Sequence, residues 1–70
     1  MERNEKALRA FGQRLTQLRE ERQLSISQLA VVAGLDATHL ARIEAGEVNL
    51  LVSTVFKLAK GLGVSPGKLL

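Results

Sequence analysis

Residues 29–46, LAVVAGLDATHLARIEAG, contain two short apolar rhythms separated by a glycine, and this stretch decides the fold. Ala30 lies four residues before Gly34, while Leu40 and Ile43 follow that glycine by six and nine residues. A small side chain at Ala30 allows two helices to approach closely, and Gly34 allows the tight turn between them. Leu40 and Ile43 then hold the second of these helices against the core. The spacing predicts a helix-turn-helix.

The segment before Gly34 predicts two helices. A first amphipathic helix is expected over about residues 5–22, because apolar residues recur there at intervals of three and four between charged and polar ones. Ser25 is followed three residues later by Gln28, a capping-box pattern that begins a second helix over about residues 26–33. The apolar stripe of the first helix comprises Leu8, Phe11, Leu15 and Leu18.

The segment after Gly34 predicts three more helices. Asp36 is a good N-cap for a third helix over about residues 37–45, which ends near Gly46. A fourth helix has Gly61 and Gly63 at its fraying end, and its apolar positions are Val52, Val55, Phe56, Ala59 and Leu62.

The final residues, SPGKLL, offer Ser65 as a cap and Pro66 at the first position of a fifth helix. The prediction is therefore an all-α domain of five short helices around one core. It occupies residues 1–70 as a single domain, because neither a repeat nor a linker divides the chain.

Composition limits the possible functions. The chain has 70 residues and no cysteine, and His39 is its only histidine. A disulfide framework and a thiolate metal site are therefore excluded, and we expect neither a metal nor a cofactor. The charged N-terminal sequence lacks the apolar core of a signal peptide, and no apolar run is long enough to span a membrane. We expect a soluble, cytoplasmic protein.

The charge permits a nucleic-acid partner without requiring one. Ten Lys or Arg residues against seven Asp or Glu residues give a formal net charge of +3. The sequence contains no carboxylate pair, nucleophile–base set or glycine-rich phosphate loop, so we do not expect an enzyme. His39 and Asp36 share one helical turn, and we interpret them as a surface residue and a cap.

The third predicted helix has an outward face suited to DNA. With Leu40 and Ile43 directed inward, the residues that face largely outward are Ala37, Thr38, Ala41 and Arg42. The second helix of a helix-turn-helix presents its N-terminal half, and an α-helix has the width that the major groove admits.

The combined motifs resemble a known family of DNA-binding domains. The segments FGQRLTQLREERQLSISQLAVVAGLDATHLARIEAGEVN and VFKLAKGLGVSPGKLL are similar to the Cro and phage-repressor type, or Xre family. That family includes small restriction-modification controller proteins, and the resemblance covers about residues 11–70. It implies a five-helix, phage-repressor-like fold and sequence-specific binding to double-stranded DNA, usually as a homodimer on a two-fold operator. We therefore expect a transcriptional regulator.

The resemblance also assigns roles to single residues of the third helix. Ala37, Thr38 and Arg42 match the positions at which the family reads bases. An arginine can hold O6 and N7 of guanine together, whereas Thr38 can bond a base or pack on a thymine methyl group. Ala37 offers only methyl contact or room for close approach. The alternatives are a solvated charge at Arg42 and an ordinary surface threonine at Thr38.

Phosphate contacts and an ion pair are further expectations. His39, when protonated, and Ser25 and Ser27, at the start of the second helix, are candidates to bind phosphate. The alternatives are a surface histidine and a serine that serves only as a cap. The resemblance also suggests that Arg19 pairs with Glu44 and links the first helix to the third.

Several positions depart from the family pattern. The family often has glutamine, which contacts the DNA backbone, where this chain has Ile26. Val31 and Val32 stand where charged residues are common. The loop EVNLLV replaces a more polar or basic one, and Glu47 would face phosphate poorly.

The excess of apolar residues predicts a second buried surface. The alternative is that some of these residues fold back and enlarge the core. An interaction module that binds a separate protein partner, with weak or no DNA binding, is the second functional hypothesis. The candidates for a homodimer interface are Leu50, Leu51, Val52 and Leu70.

Overall fold

The fold begins with a long amphipathic helix, α1, over Glu5–Glu21. Residues 4–70 are described by a computed structural model. Asn4 caps α1, since its side-chain oxygen accepts a hydrogen bond of 3.0 Å from the Ala7 amide. Three of the four residues of the predicted stripe, Phe11, Leu15 and Leu18, are buried, whereas Leu8 is half-buried. The helical period of the sequence therefore identified the face that α1 turns to the core.

Two short helices follow at the predicted positions. Helix α2 spans Ile26–Ala33 and helix α3 spans Ala37–Glu44. The capping box is present: Ser25 Oγ accepts from the Gln28 amide at 3.0 Å, and Gln28 Oε1 accepts from the Ser25 amide at 2.7 Å. These local signals set the helix start because they satisfy amide groups that have no partner inside the helix.

Helix α4, Val52–Leu62, completes the set of four α-helices in the described residues. It ends at Gly63, which has a left-handed φ of 72°, as the sequence indicated. Gly61, however, lies inside α4 rather than at a frayed end. A Cβ atom at Gly61 would stand 3.2 Å from side-chain atoms of Ala33 and Leu29, so the glycine allows α4 to pack closely on α2.

The prediction of a fifth helix was wrong. Pro66–Lys68 form a 3-10 turn of three residues, and the Ser65 side chain makes no capping hydrogen bond. Gly67 disfavours helix, and no cap compensates for it. Among the described residues the fold is all-helical, with four α-helices and this turn.

One core joins these elements. Helix α1 packs on α3, α2 packs on both α3 and α4, and the 3-10 turn packs on α4. Leu69, directly after the turn, is only 1% exposed and belongs to the same core. The buried apolar residues are Phe11, Leu15, Leu18, Leu29, Ala30, Ala33, Leu40, Ile43, Val55, Leu58, Ala59, Leu62 and Leu69.

Two arginines, Arg14 in α1 and Arg22 at its C-cap, form hydrogen bonds to main-chain carbonyl groups of the C-terminal part of the chain. Arg22 Nε donates to the carbonyl oxygen of Leu62 at 2.7 Å. Arg14 Nε donates to the carbonyl oxygen of Lys68 at 3.0 Å. Because Leu62 is the last residue of α4, its carbonyl has no partner within the helix, and the Arg22 guanidinium satisfies it.

Candidate nucleic-acid interface

A tight turn joins α2 to α3. Gly34 adopts a left-handed φ of 70°, and the Leu35 amide donates to the Ala30 carbonyl at 2.8 Å. Asp36 Oδ1 accepts hydrogen bonds from the amides of Thr38, at 2.8 Å, and His39, at 3.4 Å. Ala30 is only 2% exposed. The small buried residue, the left-handed glycine and the cap together form the predicted helix-turn-helix.

Helix α3 has one buried face and one exposed face. Leu40 and Ile43 are buried, whereas Thr38, Ala41 and Arg42 are exposed. The outward orientation expected of Ala37 is not what the structure has, because Ala37 is half-buried and packs against the core. The exposed residues of α3 therefore include a hydroxyl, an imidazole, a methyl and a guanidinium group, at Thr38, His39, Ala41 and Arg42.

The C-terminal end of α3 packs on three residues of α1, Gly12, Thr16 and Arg19, which we call the seat. The expected ion pair is present: Arg19 Nε lies 2.7 Å from Glu44 Oε2, and Arg19 Nη2 lies 3.0 Å from Glu44 Oε1. This is a bidentate pair, the strongest form of hydrogen bonding between a carboxylate and a guanidinium group. The hydrogen bond to Glu44 raises the pKa of Arg19 above its ordinary value, although burial opposes this shift.

The same seat fixes the α1–α2 turn. Arg19 Nη1 donates to the carbonyl oxygen of Leu24 at 2.8 Å. Thr16 Oγ1 lies 2.8 Å from Glu44 Oε1 and 2.9 Å from the Gly12 carbonyl oxygen. Its single proton can be donated to only one of these acceptors at a time. Sequence reasoning missed Thr16, whose partner lies 28 residues away on another helix.

The start of α2 is arranged mainly for capping. The Ser25 hydroxyl accepts from the Gln28 amide, and both Ser25 and Ser27 are exposed. His39 is also exposed, in the first turn of α3. The three residues predicted to contact phosphate are therefore accessible, while Ser25 already has a structural role as a cap.

An apolar surface precedes and continues along α4, and we call it the α4 patch: Leu51, Val52 and Phe56. These side chains are 70%, 73% and 57% exposed. Leu70 is 85% exposed, but Leu50 is half-buried and packs against the core, in agreement with the alternative that some of these residues enlarge the core. Phe56, one of the apolar positions predicted for α4, is exposed.

A comparison with protein families assigns the chain. The helix-turn-helix family, of the Xre type, matches residues 15–69. The chain belongs to the Xre-type helix-turn-helix family. This confirms the resemblance inferred from the motifs, and it confirms the expectation of a regulator rather than an enzyme.

A solved helix-turn-helix structure is similar over nearly the whole chain. It is the restriction-modification controller protein C.AhdI from Aeromonas hydrophila, with 38% identity and a TM-score of 0.90. The similarity covers 91% of this chain and 97% of C.AhdI. The arrangement of the helices is therefore shared.

The relatives found by sequence include two proteins named as regulators. The control protein C.BamHI of Bacillus amyloliquefaciens is 36% identical over 61 residues, which are 86% of this chain and 75% of C.BamHI. The transcriptional repressor RghR of Bacillus subtilis (strain 168) is 40% identical over 58 residues, or 81% of this chain. The match spans 43% of the length of RghR.

The departures from the helix-turn-helix family pattern have structural outcomes. Ile26, at the position often held by glutamine, is half-buried and packs against the core. Val31 and Val32 are 79% and 58% exposed on α2. Val31 and Val32 therefore place exposed apolar surface on α2.

Within residues 4–70 no group of three or more metal-ligating side chains is close enough to hold an ion. In the same part of the chain no helix has the length and hydropathy needed to cross a membrane.

Proposed function

We propose that this protein is a sequence-specific DNA-binding transcriptional regulator in which α3 enters the major groove. The observation that carries this proposal is the exposure of Thr38, Ala41 and Arg42 on one face of α3, opposite the buried Leu40 and Ile43. The names of the relatives, a transcriptional repressor and restriction-modification controller proteins, support the same function. A helix of this kind has the width that the major groove accommodates.

Base reading is assigned to Arg42, Thr38 and Ala37. Arg42 supplies the main specificity, because a guanidinium that bonds O6 and N7 of guanine discriminates by about 1–3 kcal/mol. Thr38 donates to a base or packs on a thymine methyl group. Ala37, being half-buried, contributes close approach of the α3 backbone rather than a long-range contact.

Phosphate contacts are assigned to the exposed residues beside this face. Ser25 and Ser27 lie at the positive end of α2, which attracts anions. His39 lies in the first turn of α3 and adds charge when it is protonated. Such contacts set the affinity and the register on the duplex without selecting a sequence.

The functional unit in this proposal is a homodimer on a two-fold operator. The α4 patch exposes three large apolar side chains, and a surface of this kind is suited to burial against a second copy. Leu70, which is 85% exposed, is a further candidate for the interface. Phe56 joins the predicted interface residues, whereas Leu50 is half-buried and packs against the core. Two copies would place their α3 helices about 34 Å apart, one turn of DNA.

The proposed site of action is the cytoplasm. The relatives come from bacteria, in which the DNA lies in that compartment. No cofactor is part of the proposed mechanism, which needs only the protein dimer and duplex DNA.

The first test is fluorescence anisotropy with duplexes that the purified protein selects from a randomised pool. We expect specific binding to the selected duplexes. The logarithm of the association constant should fall linearly with the logarithm of the salt concentration. Equal binding to selected and unselected duplexes would refute sequence-specific recognition.

The same α4 patch favours a second candidate function, binding to a separate protein partner. Its apolar side chains and the absence of basic residues in the loop EVNLLV are the observations behind this alternative. A monomeric protein that selects no DNA sequence would favour the alternative over the homodimer.

A further inference from the structure

We propose that Thr16 is a positioning residue that sets the orientation of α3 and thereby its base specificity. This inference rests on the proposed DNA-binding function. Thr16 lies on α1, is half-buried, and reaches the carboxylate of Glu44 at the C-terminal end of α3. It does not lie on the exposed face of α3, so its effect on DNA recognition would be indirect.

The geometry of the seat explains why one hydroxyl matters. Glu44 Oε2 accepts from Arg19 Nε, and Glu44 Oε1 accepts from Arg19 Nη2 at 3.0 Å and lies 2.8 Å from Thr16 Oγ1. The hydrogen bonds from Arg19 hold the Glu44 carboxylate in the plane of the guanidinium group. The Thr16 hydroxyl, one turn earlier on α1, is a second donor to this carboxylate. It restricts the remaining rotation of the carboxylate and of the C-terminal end of α3.

The seat also contains a very close approach between the main chains of α1 and α3. A Cβ atom on Gly12 would overlap the main-chain carbonyl of Glu44, so the two helices touch through their backbones at this point. Such a contact acts as a pivot, because the helices can still rotate about it. The polar contacts of Thr16 and Arg19 oppose that rotation.

Arg42 lies two residues before Glu44 on the same helix. In the proposed complex, a rotation at the C-terminal end of α3 therefore moves the Arg42 guanidinium relative to the base edges in the major groove of the DNA. Two parallel bonds to guanine require fixed geometry, whereas contacts to phosphates tolerate small shifts. Loss of Thr16 should thus reduce specific binding more than non-specific binding.

The test compares Thr16→Val with wild type on a duplex that wild type selects from a randomised pool. Valine is close in shape to threonine but cannot donate a hydrogen bond. We expect a loss of about three- to tenfold in affinity for the selected duplex, with little change on an unselected duplex. Circular dichroism at the assay temperature verifies that the variant is folded, and Thr16→Ser should restore most of the specific affinity.

Two controls separate positioning from general stability. Thr54→Val makes the same chemical change at a buried threonine of α4, and specific binding should stay as in wild type. In an Arg42→Ala background the Thr16→Val change should have little further effect, since the side chain it orients is gone.

The outcomes distinguish this inference from the proposed function. If wild type selects no sequence, both fail. If wild type selects a sequence and Thr16→Val binds it equally well, or loses specific and non-specific affinity in equal proportion, only the role of Thr16 is overturned.

Discussion

Gly12 on α1 and Glu44 on α3 approach through their main chains, so that a Cβ atom on Gly12 would overlap the Glu44 carbonyl group. Gly12 is buried, and it is in the middle of a 17-residue helix, where glycine is intrinsically unfavourable. The close approach of the two helices is the reason for a glycine at this position.

Gly12→Ala is expected to destabilise the domain although alanine favours helix. Overpacking at a tight helix contact costs about 1–3 kcal/mol and outweighs a gain in helix propensity of about 1 kcal/mol. Chemical unfolding followed by circular dichroism measures the difference. Gly67→Ala is the control, because a Cβ atom at Gly67 meets nothing within 4 Å. Equal stability of Gly12→Ala and wild type would contradict the structure.

The Arg19–Glu44 pair should behave as a buried unit. Both side chains are only partly shielded from solvent, with exposures of 12% and 8%, and removing either partner leaves the other charge without its main hydrogen bonds. Arg19→Met or Glu44→Leu is therefore expected to cost about 1.5–3 kcal/mol. The double variant should be more stable than either single variant, because no charge then lacks a partner. Glu21→Gln, an exposed change on the same helix, should alter the free energy of unfolding very little.

The stabilisation by this pair should not vary with pH over the neutral and moderately alkaline range. Because the folded-state pKa of Arg19 is raised, its contribution is complete below the ordinary pKa and falls only as pH rises through the raised value. Unfolding of wild type and Arg19→Met at several alkaline pH values measures this. A difference that shrinks well below the ordinary pKa of arginine would refute the assignment.

The helix ends are the part of the fold that local sequence signals predict best. Ser25, Asp36 and Gly34 act on neighbours within three or four residues, so their pattern correctly predicted both ends of α2 and the start of α3. The Arg19–Glu44 pair also followed from the sequence, although through the family resemblance.

Other features depend on tertiary packing. The hydrogen bonds of Arg22 to the Leu62 carbonyl and of Thr16 to Glu44 join distant segments and carry no local signal. The apolar positions of α4 include the buried Val55 and the exposed Phe56, and helical spacing alone does not separate them. The half-buried state of Ala37 likewise depends on its packing against the core.

Arg42→Ala should remove specific DNA binding and leave stability unchanged. Arg42 is exposed on α3, so its truncation creates no cavity. Affinity for a selected duplex should fall to the level of an unselected one, as measured by anisotropy. Lys57→Ala removes the same charge from α4 and should cause only a small loss. Equal losses in both variants would show that Arg42 contributes charge rather than base contacts.

Leu51→Glu should produce monomers with weakened operator affinity. The side chain is 70% exposed, so a carboxylate there is tolerated in the monomer but not in an apolar interface. Sedimentation velocity measures the association state. Val31→Glu, at a residue 79% exposed on α2, is the matched control and should sediment as wild type does. If Leu51→Glu also sediments like wild type, the α4 patch is not the dimer interface.

The bonds from Arg14 and Arg22 to the carbonyls of Lys68 and Leu62 have an evolutionary consequence. Every residue has the same main-chain carbonyl group. These hydrogen bonds therefore do not depend on which side chains occupy the end of α4 and the following turn. Substitutions of exposed residues there, such as Lys60 and Lys68, can therefore change the surface of the protein while both hydrogen bonds remain. A duplicated copy of such a gene could diverge in the surface chemistry of this end of the chain without first losing its fold.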